Sequence, residues 1–154
     1  MKHILLFTLA LPLLSAAQSK GYASLSGGLS FKDETKSVFN LSAGFMPDGS
    51  TVGFGAGVGL INYGNPYIPI TAEASFFGKP DKISPLVMGK AGYGVYSGPN
   101  NTRGGFTASV HGGISVPAGK TKALLMLGYS SYSFNMNLVK TRESRVSLCL
   151  GLKI

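Results

Sequence analysis

Few side chains in this 154-residue chain can do chemistry, and their spacing narrows what that chemistry could be. His111 is the only histidine beyond the N-terminal segment, so no histidine-based metal cluster can be assembled. A lone imidazole on a polar face serves as a hydrogen-bonded filler more readily than as a catalyst. Cys149 is the single cysteine, so no internal disulfide can form. Beside Gly151 it reads as a small buried filler rather than a reactive thiol. Two stretches imitate nucleotide loops. A G-x-G-x-x-G pattern beginning at Gly53 would need glycine where Val58 stands. Gly119-Lys120-Thr121 ends like a phosphate loop, but Ile114 occupies the place of its leading glycine. What remains is the sparse set of ionisable side chains on the polar faces of the strands, of which Glu73, Lys90, His111, Arg145 and Lys153 are nearly the whole.

The elements that must position them are strands. In the last nine residues, Val146, Leu148, Leu150, Leu152 and Ile154 alternate with Ser147, Cys149, Gly151 and Lys153, a period of two with one greasy face. The same alternation recurs upstream. It predicts strands at about Tyr22–Phe31, Val38–Met46, Thr51–Asn62, Ile68–Phe76, Ser84–Tyr96, Gly104–Ser115 and Ala123–Tyr132. Pro47-Asp48-Gly49-Ser50 is a tight-turn sequence. Ser97–Arg103 reads as a loop, Val116–Lys122 as a turn and Ser133–Arg142 as a ten-residue connection. Parallel neighbours would need crossovers of about a dozen residues, so the eight strands form an antiparallel meander. The closing strand needs a partner, and Tyr22–Phe31 is the natural one.

Counting across the hairpins gives the charged residues company. Folding about Pro80–Asp81 sets Glu73 beside Met88 or Lys90, and folding about Asn100 sets Lys90 beside Ser109 or His111. All three point to the polar face. We expect an interior Glu73–Lys90 bridge flanked by His111, with Arg145 as a candidate second partner, because an unpaired charge could not persist in a narrow interior. Its main role is packing; an ion gate is the sharper alternative.

Composition decides which face meets lipid. Charged residues are 13% of the chain against a usual value of about 25% for soluble domains, and 22 residues are glycine. The non-greasy face is mostly Gly, Ser and Thr, too poor in charge for a solvated surface. Strands of roughly ten residues match the ~9–11 that cross a bilayer at a tilt. The greasy face therefore points outward, toward lipid. Phe31, Phe45, Tyr63, Phe76 and Tyr132 fall at strand ends, where aromatic girdles belong. Leu86, Met88, Leu124 and Met126 point inward, either as a plug against the glycine stripe of the third strand or as an acyl-chain pocket.

At the N-terminus, Met1-Lys2-His3, the apolar run Ile4–Leu14 and the small residues Ser15-Ala16-Ala17 make a secretory signal, cleaved before Gln18. That gives residues 1–17 as signal and 18–154 as a single domain. The formal charge of +8 is dispersed over both rims, with no aromatic-basic patch for nucleic acid.

The export signal, the eight alternating strands and the alternating closing strand together resemble the small outer-membrane β-barrels of the OmpX and OmpA-transmembrane-domain type. The resemblance covers essentially the whole exported chain and rests on pattern. It implies an all-β, eight-stranded antiparallel up-and-down transmembrane β-barrel in the bacterial outer membrane, inserted by the barrel-assembly machinery. In that family the closing strand normally ends in an aromatic residue; this chain ends in Ile154. The expected function is structural or interactive, without catalysis and without metal or cofactor, because side chains fill an eight-stranded lumen. Expected partners are outer-membrane lipid, with lipopolysaccharide phosphates within reach of Lys32, Lys36, Arg103, Lys140 and Arg142, and the chain is expected to be monomeric. The alternatives are an exported soluble barrel holding a lipophilic ligand and, further off, a lipid acyltransferase. The latter would need His111 near the outer rim, and it counts too deep.

Overall fold

Alternation turns into strands wherever one face can be buried in lipid and the other in a shared interior. The computed structural model describes residues 19–62, 65–79, 82–98, 101–136 and 139–154; for 19, 97–98, 101–103, 134–136 and 139–141 it describes the backbone alone. The expected signal, 1–17, and Tyr63 lie outside the described residues. The strands are β1 (Ser19–Phe31), β2 (Lys36–Pro47), β3 (Val52–Asn62), β4 (Pro66–Phe77), β5 (Ser84–Gly98), β6 (Asn101–Ala118), β7 (Thr121–Met136) and β8 (Val139–Lys153). Each pairs antiparallel with the next, and β8 pairs with β1, so the sheet closes on itself. The protein is an eight-stranded antiparallel transmembrane β-barrel.

Closure fixes the geometry. From Gly21 the cross-strand pairs run Phe45, Phe54, Ala74, Gly89, Val110, Tyr129 and Val146, returning to β1 at Phe31. That return is ten residues beyond the start, a stagger that tilts the strands roughly 40° from the barrel axis. Two backbone hydrogen bonds between Ala23 and Ile154, of 3.2 and 2.9 Å, carry the seam to the last residue. At the β2–β3 turn Ser50 donates to the Pro47 carbonyl, and Gly49 takes the positive φ of 74° that a side chain would resist.

The faces sort as the alternation requires. Leu25, Leu41, Val58, Ile70, Tyr93 and Phe106 lie exposed in one row around the wall, and the closing strand adds Val146, Leu148, Leu150, Leu152 and Ile154. A band of this extent would be an aggregation surface in water and is a normal lipid contact in a membrane. The interior has three levels. Phe77, Leu86, Met88, Leu124, Met126 and Cys149 form an apolar cluster toward the end that holds the chain termini. Val38, Ile61, Tyr67 and Tyr132 form a second toward the opposite, loop end. Polar and charged side chains lie between them.

Three sequence expectations change. The connection Ser133–Arg142 is mostly strand: pairing of β7 with β8 continues to Met136 opposite Val139, and β5 with β6 likewise to Gly98 opposite Asn101. The sequence there no longer alternates apolar with polar residues, while backbone pairing continues. Tyr132 is interior rather than part of an outer girdle, 5% exposed and edge-on to Tyr67 at 5.4 Å. The glycines of β3 do not face the apolar plug. A Cβ on Gly55 would lie 3.0 Å from the Tyr22 hydroxyl, and one on Gly53 3.1 Å from its ring, so these glycines accommodate that aromatic.

Candidate functional site: the charged lumen

Tyr22, Gly44, Gly55, Glu73, Lys90, Ser109, Ser130 and Arg145 occupy one register row around the barrel. Glycine at two successive places in that row lets the Tyr22 ring lie flat across β2 and β3. Its hydroxyl reaches β4, where it donates to Glu73 Oε1 at 3.0 Å and contacts Ser75 Oγ at 3.4 Å. Directly opposite Glu73 on β5, Lys90 places Nζ 3.3 Å from Oε2. Both side chains are almost wholly withdrawn from solvent. A carboxylate and an ammonium buried together at this distance compensate one another's desolvation, and the phenol supplies a further charge-assisted hydrogen bond.

His111 lies two residues along β6 from Ser109 of that row and so on the same face, opposite Met88 on β5 and Gly128 on β7. A Cβ on Gly128 would come within 2.1 Å of the imidazole Cδ2, so the ring rests on the glycine. Among the described residues its Nδ1 has no hydrogen-bond partner, and no carboxylate orients it. His111 lines a cavity of about 20 Å³ together with Lys90, Thr107, Ser109 and Ser147. That is room for about one water molecule, in walls polar enough to hold it.

Arg145 does not join the Glu73–Lys90 pair. It sits nearer the loop end, where Nε donates to Ser30 Oγ at 3.0 Å and Nη2 to the Ser30 carbonyl at 3.3 Å. It also bonds the Glu143 carboxylate and the Glu34 carbonyl, tying β8 to β1 and to the β1–β2 loop. The signal for Glu143 was its parity: it stands two residues from Arg145 on the same strand and therefore on the same face. Tyr22 was signalled in the same way by Ser24 and Ser26.

The loop-end cations have partners of their own. Lys32 lies 3.7 Å from Asp33, Lys36 pairs with Glu34, and Arg142 donates to Ser131 Oγ at 3.1 Å. The Lys36 ammonium holds the Glu34 carboxyl below its ordinary range through a hydrogen bond and direct attraction. Arg103 and Lys140 have side chains outside the described residues. Among the described residues no cluster of His, Cys, Asp and Glu is arranged to hold a metal ion.

No protein-family model matches the sequence, and no curated protein does. Solved structures match over nearly the whole chain. Neisserial surface protein A superposes with a TM-score of 0.65 over 87% of this chain and 94% of its own, at 14% identity. The fold is that of the small outer-membrane barrels. The N-terminal β-barrel domain of Pseudomonas aeruginosa OprF gives 0.59 over 89% and 100%, at 13% identity. The outer membrane enzyme PagL gives 0.53 over 86% and 98%, at 15% identity. At such identities the likeness is one of architecture, and an architecture that carries both enzymes and other proteins leaves function to the site.

Proposed function

We propose that the protein is a monomeric, non-enzymatic component of the bacterial outer membrane, exported through a cleaved signal spanning residues 1–17 and inserted by the barrel-assembly machinery. Its work is structural and interactive: a rigid plugged barrel that orders the lipid around it, with outer-membrane lipid, including lipopolysaccharide at the loop end, as its partner. The observation that carries this reading is the lumen itself. Glu73 is matched by Lys90 and Arg145 by Glu143, apolar clusters close both ends, and the cavity between them is water-sized. A charge-matched interior of this kind, with only a water-sized cavity between its apolar clusters among the described residues, supports a rigid, plugged barrel.

An acyltransferase would require an acid-oriented histidine beside a hydroxyl nucleophile at the rim. His111 instead rests on Gly128 between the two apolar clusters, with Nδ1 unpartnered among the described residues. A soluble barrel with a lipophilic ligand would require the apolar face to point inward, whereas here it forms the outer wall. Cell fractionation is the test. The protein is expected in the outer-membrane fraction, released only by detergent, with migration on a gel that changes on boiling. Recovery from the periplasm without detergent would overturn the reading, and lipid acyl transfer lost in His111→Ala would overturn its non-enzymatic part.

A further inference from the structure

The interior charges balance except at one place. Glu73 has Lys90 and Arg145 has Glu143, but Lys153 has no carboxylate within ion-pair distance among the described residues. Its side chain turns inward at the terminal end of β8 and is 8% exposed. Its ammonium lies 3.3 Å from the centroid of Phe77 and 4.5 Å from that of Tyr22. The ring faces attract the cation without neutralising it. Directly opposite on β7, and so on the same face, stands a second cation, Lys122. Like charges directly across a strand pair repel, and an anion between them would relieve that repulsion.

Those two lysines open onto a cavity of about 440 Å³ at the terminal mouth of the barrel. Lys20 and Lys79 stand at its edge, and Phe77 and Met46 line its apolar wall. The one acidic side chain in its lining, Asp48, is exposed and pairs with none of the four lysines. Four ammonium groups about a blind pit form a field that favours a compact, multiply charged anion. The cavity far exceeds a bare phosphate, and its apolar wall suits the organic part of an ester.

We propose that this mouth binds a phosphate group, held between Lys122 and Lys153, with Lys20 and Lys79 completing the shell. The phosphate arrives either as a soluble phosphate ester or as the headgroup of a phospholipid in the adjoining leaflet. The site depends on the barrel alone and is independent of whether the lumen has another role.

The test uses the folded barrel in a neutral maltoside detergent, with folding verified by heat-modifiable migration. Inorganic phosphate, titrated against chloride at matched ionic strength, is expected to raise the urea midpoint saturably. Lys122→Gln, at a half-exposed strand start, should weaken that effect about tenfold, the scale of one lost charge-assisted hydrogen bond. Lys79→Gln should weaken it less, and Lys120→Gln, outside the cavity, should leave it unchanged. A second arm replaces phosphate with micelles doped with phosphatidylglycerol. Lysine-dependent saturation by phosphate supports the site with a soluble source; saturation by the doped lipid alone supports it with a headgroup source. Absence of saturable binding in both arms, or equal binding in Lys122→Gln and Lys120→Gln, would overturn the proposal. Because folding is checked in the same sample, that failure leaves membrane insertion unaffected.

Discussion

Glu73 is held by two bonds of different kinds, and their removal should have different consequences. Glu73→Gln leaves the Lys90 ammonium buried without a counter-charge, which costs about 3–5 kcal/mol when a buried pair is broken on one side. Tyr22→Phe removes a hydrogen bond to a charged acceptor, about 1.5–3 kcal/mol. Replacing both charges by Glu73→Leu and Lys90→Met should recover most of the Glu73→Gln loss, since no orphaned charge remains. Urea unfolding of the refolded barrel in lipid vesicles measures all three, and a double variant no more stable than Glu73→Gln would show that the pair is not what stabilises this level of the lumen. Hairpin counting could anticipate the pairing of Glu73 and Lys90 because both face inward across one turn. It could not anticipate that Arg145 stands apart, since the end of its side chain is set by Ser30 and Glu34 across the seam. Tyr132 departs from its expected place for a different reason. Its residue type suits a girdle, while its parity with Leu124, Met126 and Ser130 places it inside, and in a barrel wall parity is the stronger constraint.

On the scale of one strand, β8 offers a depth gauge. Its lipid face runs from Val146 to Ile154, with Leu150 midway, and Leu150 and Ile154 are both well exposed. Arginine at the bilayer midplane of such a barrel costs about 2–4 kcal/mol, falling to about 0–1 near the interface. Leu150→Arg should therefore destabilise the barrel strongly while Ile154→Arg changes little, measured by unfolding in vesicles. Equal costs at both positions would mean that the band does not span the bilayer as its alternation implies. Within that band the sequence was readable strand by strand, since lipid on one side and lumen on the other impose a period of two. Beyond it the signal ends before the structure does. β5 to β8 run 15, 18, 16 and 15 residues, longer than the ~9–11 a crossing needs. In the excess the backbone ladder continues, and no hydrophobic pattern in the sequence reports it.

For the molecule as a whole, the question is whether eight strands with this stagger can conduct. At roughly 40° of tilt the bore is narrow enough for inward side chains to meet, and they meet twice, in Phe77 with Leu86, Met88, Leu124, Met126 and Cys149, and in Tyr67 with Tyr132, Val38 and Ile61. The charged level lies between these two barriers, so removing its charges opens neither of them. Glu73→Ala should leave the barrel as silent in a planar bilayer as the unaltered protein, despite its loss of stability. Thinning one barrier alone, by Phe77→Ala with Met126→Ala or by Tyr67→Ala with Tyr132→Ala, should also produce no stepwise conductance, because the other barrier still excludes a hydrated ion. Only the combination of all four truncations should do so, and its current should then respond to the Glu73–Lys90 pair that faces the opened path. Conductance from the unaltered protein, or from Glu73→Ala alone, would show that the barrel has an open state in which the apolar clusters part, and the charged level would then be a gate rather than a brace.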